Sequence, residues 1–344
     1  MKVIDFDSDA GWLKRFLDFP RQHYASDSNW MPDPAELRLL TDSGSSSTKW
    51  RNFLALDGEE VCGRVSAIVN PRVCDEDGHP YGQLGFFECV NDLPTARLLI
   101  DSALHWLRSN LPAPGKILAP LNFDTWHAYR FRTKGFDEPT FFMEPHNPVY
   151  YSSLFAEHGF APVAHYITKT VNDLSPLLAF WEPYQRDLVA KGFTVRSFDL
   201  GAVTDELSLI YRLSLTMFRE NLFFTDISEA EFRALYAGAA GSLDPDLFLF
   251  LLDPSGEPVG LCFNLADHRQ PKTVNVKTFG VLPHIRHEGV GAGFAHEIYS
   301  RFQAKGFTRV NHCLMRAGNR ADNFDGGLGE ITREYTLFCR PLES

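Results

Sequence analysis

The stretch Val281-Leu-Pro-His-Ile-Arg-His-Glu-Gly-Val-Gly-Ala-Gly293 carries residue types whose spacing bears on chemistry. A strand-like run ends at Val281, and Pro283 has no N–H with which to continue a ladder. Arg286, Gly289 and Gly291 then lead into a segment whose Val290, Phe294, Ile298 and Phe302 recur at i, i+4 spacing. Glycine lets the backbone approach a ligand closely and reach positive φ. The first turn of the helix that follows has unpaired N–H groups and the positive end of the macrodipole. Together these make a site for a phosphate or pyrophosphate, with Arg286 adding charge at the rim. The spacing is neither G-x-G-x-x-G nor G-x-x-x-x-G-K-[ST], so the common dinucleotide and P-loop sites are excluded.

The elements that must position this loop occur twice. Phe53 to Asn70 reads as a strand, a tight Asp57-Gly58 turn and a second strand. Phe248 to Asn264 has the same design, with Gly63 and Gly260 at matching points. A strand at Gln83–Val90 leads to a helix at Pro94–Ser109, with Ala96, Leu99, Ile100, Ala103, Leu104 and Leu107 at helical spacing. A strand at Val274–Val281 leads likewise to a helix at Gly289–Gln303. Short strands follow at Lys116–Ala119 and Arg309–Met315, and closing strands at Val163–Val171 and Ile331–Cys339. This order predicts a duplicated α/β unit, residues 1–171 and 192–344. Residues 172–191 join the two, with a helix at Trp181–Ala190 that stops at Lys191-Gly192.

The pattern V-x-P-x-x-R-x-x-G-x-G-A, on Val281, Pro283, Arg286, Gly289 and Gly291, resembles the acyl-coenzyme A loop of the GCN5-related N-acetyltransferase superfamily. Residues 192–344 are similar to that fold throughout, and residues 1–171 resemble it without the loop. Gly85-Phe86-Phe87-Glu88, Pro120-Leu121-Asn122 and Met143 to Tyr151 resemble a bacterial branch of tandem members. The resemblance implies an α/β (α+β) fold of two tandem acetyltransferase-like domains, each a mixed, mostly antiparallel sheet flanked by helices. It implies acyl-CoA, acetyl or longer, as co-substrate, and no metal. Phe279, Gly280 and Val281 would pair with the pantetheine arm where two strands splay apart. His287, Glu288, Gly289, Val290, Gly291 and Ala292 would hold the pyrophosphate, beside Arg286. Asn319 would contact the arm near the thioester. Two departures stand out. Phe86 to Pro94 has no R-x-x-G-x-G, and Glu88 and Asp92 would repel phosphate, so the first half is expected to bind no coenzyme. Asn319 to Glu330 is a poor helix, and the tyrosine acid that the resemblance places there is absent; Tyr335 lies nearby, in the next strand.

An amine attacking a thioester must lose a proton, and the departing thiolate must gain one. Backbone N–H groups at the splayed strand can polarise the carbonyl. His127 is the first candidate for the base, followed by Glu220 and Tyr335. The densest polar and aromatic cluster outside the loop supplies acceptor candidates: Asn122, Trp126, Arg130, Arg132 and Tyr150. Loops between elements carry function more often than cores do, and domain interfaces favour small-molecule sites. Arg130 and Arg132 suit a carboxylate. Packing between the halves is the competing use of the same aromatics. His284 and His287 have no visible third ligand for a metal. His312 and Cys313 face opposite sides of their strand, and no His-plus-carboxylate arrangement makes Cys313 a nucleophile.

The composition narrows the partners. The 344 residues hold 33 Lys and Arg against 44 Asp and Glu, a net charge of −11, the opposite of a nucleic-acid footprint. The longest apolar run, Leu247 to Leu252, is far short of the ~20 residues that span a bilayer. Met1 to Asp7 has no apolar signal core, and the 6 cysteines form no C-x-x-C pair. The expectation is a cytoplasmic chain with no membrane or nucleic-acid partner. The expected activity is transfer of an acyl group from acyl-CoA to an amine of a small molecule, by direct attack in a ternary complex. A non-catalytic scaffold that binds acyl-CoA or a carrier protein competes with it, favoured by the missing tyrosine. A transferase dependent on an acyl carrier or on aminoacyl-tRNA is the third reading, disfavoured by the negative charge. The 29 Phe fit either an acyl group longer than acetyl or a large core.

Overall fold

The structure is a computed structural model that describes residues 1–33, 35–41, 47–112, 115–240, 243–286 and 289–342. The first half runs β1 (Lys2–Phe6), α1 (Ala10–His23), α2 (Glu36–Thr41), β2 (Lys49–Asp57), β3 (Glu60–Cys74), β4 (Pro80–Cys89), α3 (Leu93–Asn110), β5 (Gly115–Ala119), β6 (Phe131–Lys134), α4 (Tyr151–Ala156) and β7 (Ala161–Val171). Helix α5 (Leu174–Ala190) follows. The second half runs β8 (Thr194–Ser197), α6 (Val203–Phe218), α7 (Glu229–Ala240), β9 (Phe248–Leu252), β10 (Pro258–Ala266), β11 (Thr273–Val281), α8 (Val290–Ala304), β12 (Arg309–Arg316) and β13 (Glu330–Leu342).

Each half builds its strands by the same rule. Strands β1 to β4 are antiparallel neighbours, and β5 joins β4 in parallel. Strands β8 to β11 repeat this, with β12 parallel to β11. A parallel neighbour needs a crossover, which α3 supplies in one half and α8 in the other. All described strands form one sheet, in the order β1-β2-β3-β4-β5-β13-β7-β12-β11-β10-β9-β8, with β6 beside β13.

The closing strands are exchanged. Strand β7, the last of the first half, lies against β12 of the second. Strand β13, the last of the second, lies against β5 and β6 of the first. The two meet at the centre, where Tyr166 is opposite Tyr335. The boundaries at 171 and 192 therefore end sequence units, but each unit's sheet is completed by the other's last strand.

Amphipathic helices fill the two faces. Ala96, Leu99, Ile100, Ala103, Leu104 and Leu107 of α3 are all buried, each large apolar side chain contributing about 1.5–3 kcal/mol. Val290, Phe294, Ile298 and Phe302 of α8 are buried in the same way. Helix α5 lies along α8 so closely that a Cβ on Gly293 would stand 2.6 Å from the Tyr184 carbonyl oxygen and 2.7 Å from Leu188 Cβ. Gly293→Ala is therefore expected to lower stability by about 1–3 kcal/mol, read as a drop in Tm. Among the described residues, no helix is long and apolar enough to cross a membrane.

Candidate acyl-donor site

Strands β11 and β12 stay paired only as far as Val276 and His312. Beyond that point β12 turns to β7, with Met315 opposite Ile167 and Arg316 opposite Tyr166, while β11 stays on β10. Lys277 is the extra residue of a bulge there, because Phe263 pairs with Thr278 and Asn264 with Val276. A bulge bends its strand and re-aims the side chain. The opening holds a channel of about 290 Å³, walled by residues 276–279 on one side and 312–316 on the other. Phe279 is part of this wall. Gly280 and Val281 continue β11 along β10, and Val281 is buried under α8. Asn319 also lines the channel, and its buried Oδ1 has no partner, an acceptor suited to an N–H donor.

Helix α8 begins beside this channel without a cap. Gly289 sits at its N-cap with φ 73° and no side-chain hydrogen bond to the helix. Such a φ favours glycine. The N–H groups of Val290 and Gly291 lie in the first turn, where a helix offers them no acceptor; the N–H of Ala292 donates to the Gly289 carbonyl at 3.1 Å. His287 and Glu288 lie outside the described residues. Arg286 is placed differently from its expected rim position. Its Nη2 donates to the Met217 carbonyl at 2.6 Å and its Nε to the Val281 carbonyl at 3.3 Å, bracing the loop against the end of α6. Glu220 is 3.4 Å from Arg286, 85% exposed and not among the residues that line the channel. It sits in the turn after α6, where the chain faces water.

A second cavity of about 320 Å³ adjoins the channel, between the sheet and helices α6 and α7. Trp126, Phe218, Lys277, Thr278, Cys313 and Leu314 line both. The far part of the second cavity is apolar, with Leu207, Ile210, Phe232, Phe248, Leu261 and Phe263. The first half closes over it: Trp126 donates from Nε1 to the Thr225 carbonyl at 2.9 Å and packs on Phe224 and Phe232. His127 lines the same cavity, and its Nδ1 is 2.7 Å from Oδ1 of buried Asp124. A carboxylate on one ring nitrogen fixes the tautomer and leaves Nε2 for proton transfer. Arg130 lines the cavity between the rings of Tyr129 and Tyr166, at 3.8 and 4.1 Å.

Burial separates the remaining candidates. Burial pushes the His312 imidazole down to about 4, and Tyr299 Oη meets its Nε2 at 2.8 Å, so it is a neutral wall residue. Burial pushes the Cys313 thiol up to about 12, which keeps it protonated and rules out a thiolate nucleophile. Burial holds the Lys277 ammonium below its usual range, opposed by Cys313, reinforced by the like charge of Arg130 and opposed again by the Glu144 carboxylate.

In the first half the corresponding site is shut by its own chain. Strands β4 and β5 pair only at Gly82 with Ile117 and Gln83 with Leu118. The Leu121 N–H then donates to the Leu84 carbonyl at 3.0 Å, and Asn122 Oδ1 accepts the Phe86 N–H at 2.8 Å. Asn122 thus closes the opening and is no acceptor residue. Asp92 caps α3 by accepting the Thr95 N–H at 2.9 Å, where α8 has no side-chain cap from Gly289. Asp92→Ala is expected to cost about 0.5–2 kcal/mol of stability, seen in a thermal melt, and to leave coenzyme affinity unchanged in titration.

Three further expected residues lie away from both cavities. Arg132 is buried and donates from Nη2 to the carbonyls of Gly135 and Glu138. Tyr150 donates to the Cys89 carbonyl at 2.8 Å. Tyr335 is fully buried and donates to Glu144, which also meets Arg333 Nε at 3.2 Å. The bonds of Tyr335 and Arg333 to Glu144 fasten β13 to the first half. Asp124 and Lys277 were not singled out in the sequence. The D-x-x-H spacing was the one signal for Asp124, and a lone cation in an apolar strand the one for Lys277.

Comparison with known proteins agrees with this architecture. No family model matches the chain. Protein YghO of Escherichia coli is 23% identical over 261 residues, 74% of this chain and 65% of that protein. A bacterial ceramide synthase of Caulobacter vibrioides is 24% identical over 255 residues, 72% of this chain and 66% of that protein. The chain thus spans just under two thirds of the length of these relatives. A conserved protein from Enterococcus faecalis, described as a probable N-acyltransferase, superposes with a TM-score of 0.60 at 11% identity, over 100% of this chain and 73% of that one. A tandem GCN5-related N-acetyltransferase (GNAT) protein of the clavulanic acid biosynthesis pathway superposes with a TM-score of 0.54 at 10% identity, over 100% of this chain and 99% of that one. The chain has the tandem GNAT fold. Its departure from the GNAT pattern lies after β12. There the expected poor helix is a single 3-10 turn at Arg320–Asn323. Phe324, just beyond, packs on Phe279 with ring centroids 4.1 Å apart and walls the channel.

Proposed function

We propose that the protein is an N-acyltransferase that takes a long acyl chain from acyl-CoA and transfers it to the amine of a small molecule. One observation carries this reading: the channel near the uncapped start of α8 and the apolar cavity share a wall, which includes Trp126, Phe218, Lys277, Thr278, Cys313 and Leu314. An acetyl group needs no such cavity, whereas an alkyl chain gains about 0.8 kcal/mol for each CH₂ it buries. The likeness to a ceramide synthase supports it, since a ceramide is the amide of a long acyl chain.

The first turn of α8 would hold the pyrophosphate. Phe279 and Asn319 would flank the arm, and the acyl chain would lie along α6. Bound there, acyl-CoA supplies a thioester. The protein's own part is positioning and proton transfer. His127 Nε2 takes the proton of the acceptor amine, while Asp124 holds the imidazole in the required tautomer. The cations Lys277 and Arg130 favour negative charge developing on the carbonyl oxygen. The amine nitrogen bonds to the acyl carbon, the carbon–sulfur bond breaks, and the thiolate regains the proton.

The test is incubation with palmitoyl-CoA and a long-chain amino alcohol such as sphinganine. Formation of the amide with release of an equal amount of free thiol is the expected outcome. Thiol release without amide, across a panel of primary amines, would mean hydrolysis and would remove the N-acyltransferase reading.

A further inference from the structure

Two cations line the apolar cavity, and neither forms an ion pair among the described residues. Arg130 is only 9% exposed, yet among the described residues it forms no ion pair. Among the described residues its Nε has no partner, and the one hydrogen bond of its guanidinium is a long one, Nη1 to the Leu314 carbonyl at 3.4 Å. The two tyrosine rings that sandwich it offer cation–π attraction but no countercharge. Arg130 also holds φ at 69°, a left-handed conformation that side-chain-bearing residues rarely adopt. Backbone strain of this kind collects at functional sites.

Lys277 lies close to it on the bulge of β11. Its Nζ is 3.4 Å from the Met143 carbonyl and 4.9 Å from the centre of the Phe141 ring, again with no ion pair among the described residues. Acidic residues outnumber basic ones in this chain by 44 to 33, so two such cations without carboxylate partners are conspicuous. Holding the buried charge of Arg130 without a partner is costly, and an anionic ligand removes that cost, with Lys277 as the second, half-buried cation. The rest of the cavity is alkyl and aromatic surface, so the matching ligand has one anionic head and one apolar tail.

We infer that this cavity binds a free long-chain fatty acid, with its carboxylate between Arg130 and Lys277 and its tail along Leu207, Ile210, Phe232, Phe248, Leu261 and Phe263. The site uses the same cavity as the proposed transfer but depends on neither coenzyme nor acceptor. Where the transfer operates, a bound fatty acid competes with the acyl donor.

The experiment compares palmitate with hexadecanol, which has the same tail and no charge, on delipidated full-length protein by calorimetry. Hydrogen bonds to a charged group contribute about 1.5–3 kcal/mol, so palmitate is expected to bind roughly 10- to 100-fold more tightly. In the Arg130→Gln/Lys277→Gln double variant that preference is expected to vanish while hexadecanol affinity stays as it was, which also reports that the cavity is intact. Lys277→Arg keeps the charge and is expected to keep the preference, which guards against a double variant that does not fold. Ser214→Phe, which fills the cavity from α6, is expected to weaken both ligands. Equal affinity for acid and alcohol in the unmodified protein, or a preference that survives the double variant, overturns the inference. Titration with coenzyme A alone tests the donor site separately: its failure with palmitate still bound removes the transfer reading and leaves this one standing.

Discussion

His127→Gln is expected to lower kcat by about a hundred- to ten-thousandfold, the usual range for loss of a general base, with donor affinity unchanged. The Nδ1 of His127 faces Asp124 at 2.7 Å, and Asp124 is only 1% exposed. Asp124 also accepts the Trp126 N–H at 3.0 Å, so the carboxylate fixes both ring and loop. Nε2 is then the one nitrogen able to meet an amine in the cavity that His127 lines. Glutamine keeps size and polarity but cannot take up a proton at neutral pH. Asp124→Asn is expected to lower kcat in the same direction, because an amide can hold the wrong tautomer. Single-turnover kinetics with palmitoyl-CoA checks both. A folded His127→Gln protein with undiminished kcat would assign proton removal to solvent and leave His127 a wall residue.

Gly289→Glu is expected to abolish measurable coenzyme binding while the protein stays folded. At φ 73° a side chain costs about 1–2 kcal/mol, and a carboxylate at a helix N-terminus returns about 0.3–1 kcal/mol. The net change in stability is small. The new carboxylate, however, occupies and charges the place where the first-turn N–H groups would meet a pyrophosphate. Losing two hydrogen bonds to charged oxygens, at about 1.5–3 kcal/mol each, weakens binding by at least about a hundredfold. Gly289→Ala separates strain from charge and is expected to keep most of the affinity. Calorimetry with coenzyme A, beside a circular-dichroism melt, is the check. Unchanged affinity in folded Gly289→Glu would move the donor site elsewhere.

Much of this was legible in the sequence, for identifiable reasons. The helices α3 and α8 announce themselves because one apolar stripe of each must be buried. The hairpins of β2–β3 and β9–β10 follow from short turns between alternating runs. The start of α8 at Gly289 was legible because glycine at this spacing before an apolar stripe marks a helix end. The exchange of β7 and β13 was not legible. Both are closing strands of similar pattern, and nothing local chooses between a partner in the same half and one in the other. That exchange explains a misplaced residue as well. Arg132 has the type and position of a surface loop residue, but β13 enters beside β5 and β6 and sets Tyr335 opposite it. Asn122 was misread for a related reason: a polar side chain after a strand serves a ligand or its own backbone equally well, and only the Phe86 N–H decides. Arg286 belongs to the loop pattern as expected, but its guanidinium reaches a carbonyl on α6, which is distant in sequence.

The most direct measurement is thermal stabilisation by coenzyme A, acetyl-CoA and acyl-CoAs of increasing chain length. A ligand that binds only the folded state raises its stability by mass action. If the chain enters the cavity beyond Lys277 and Thr278, stabilisation rises with each added pair of methylenes until the cavity is full, and Gly289→Glu removes the whole series. A shift that is the same for coenzyme A and for every acyl length, or no shift at all, contradicts acyl transfer from this cavity.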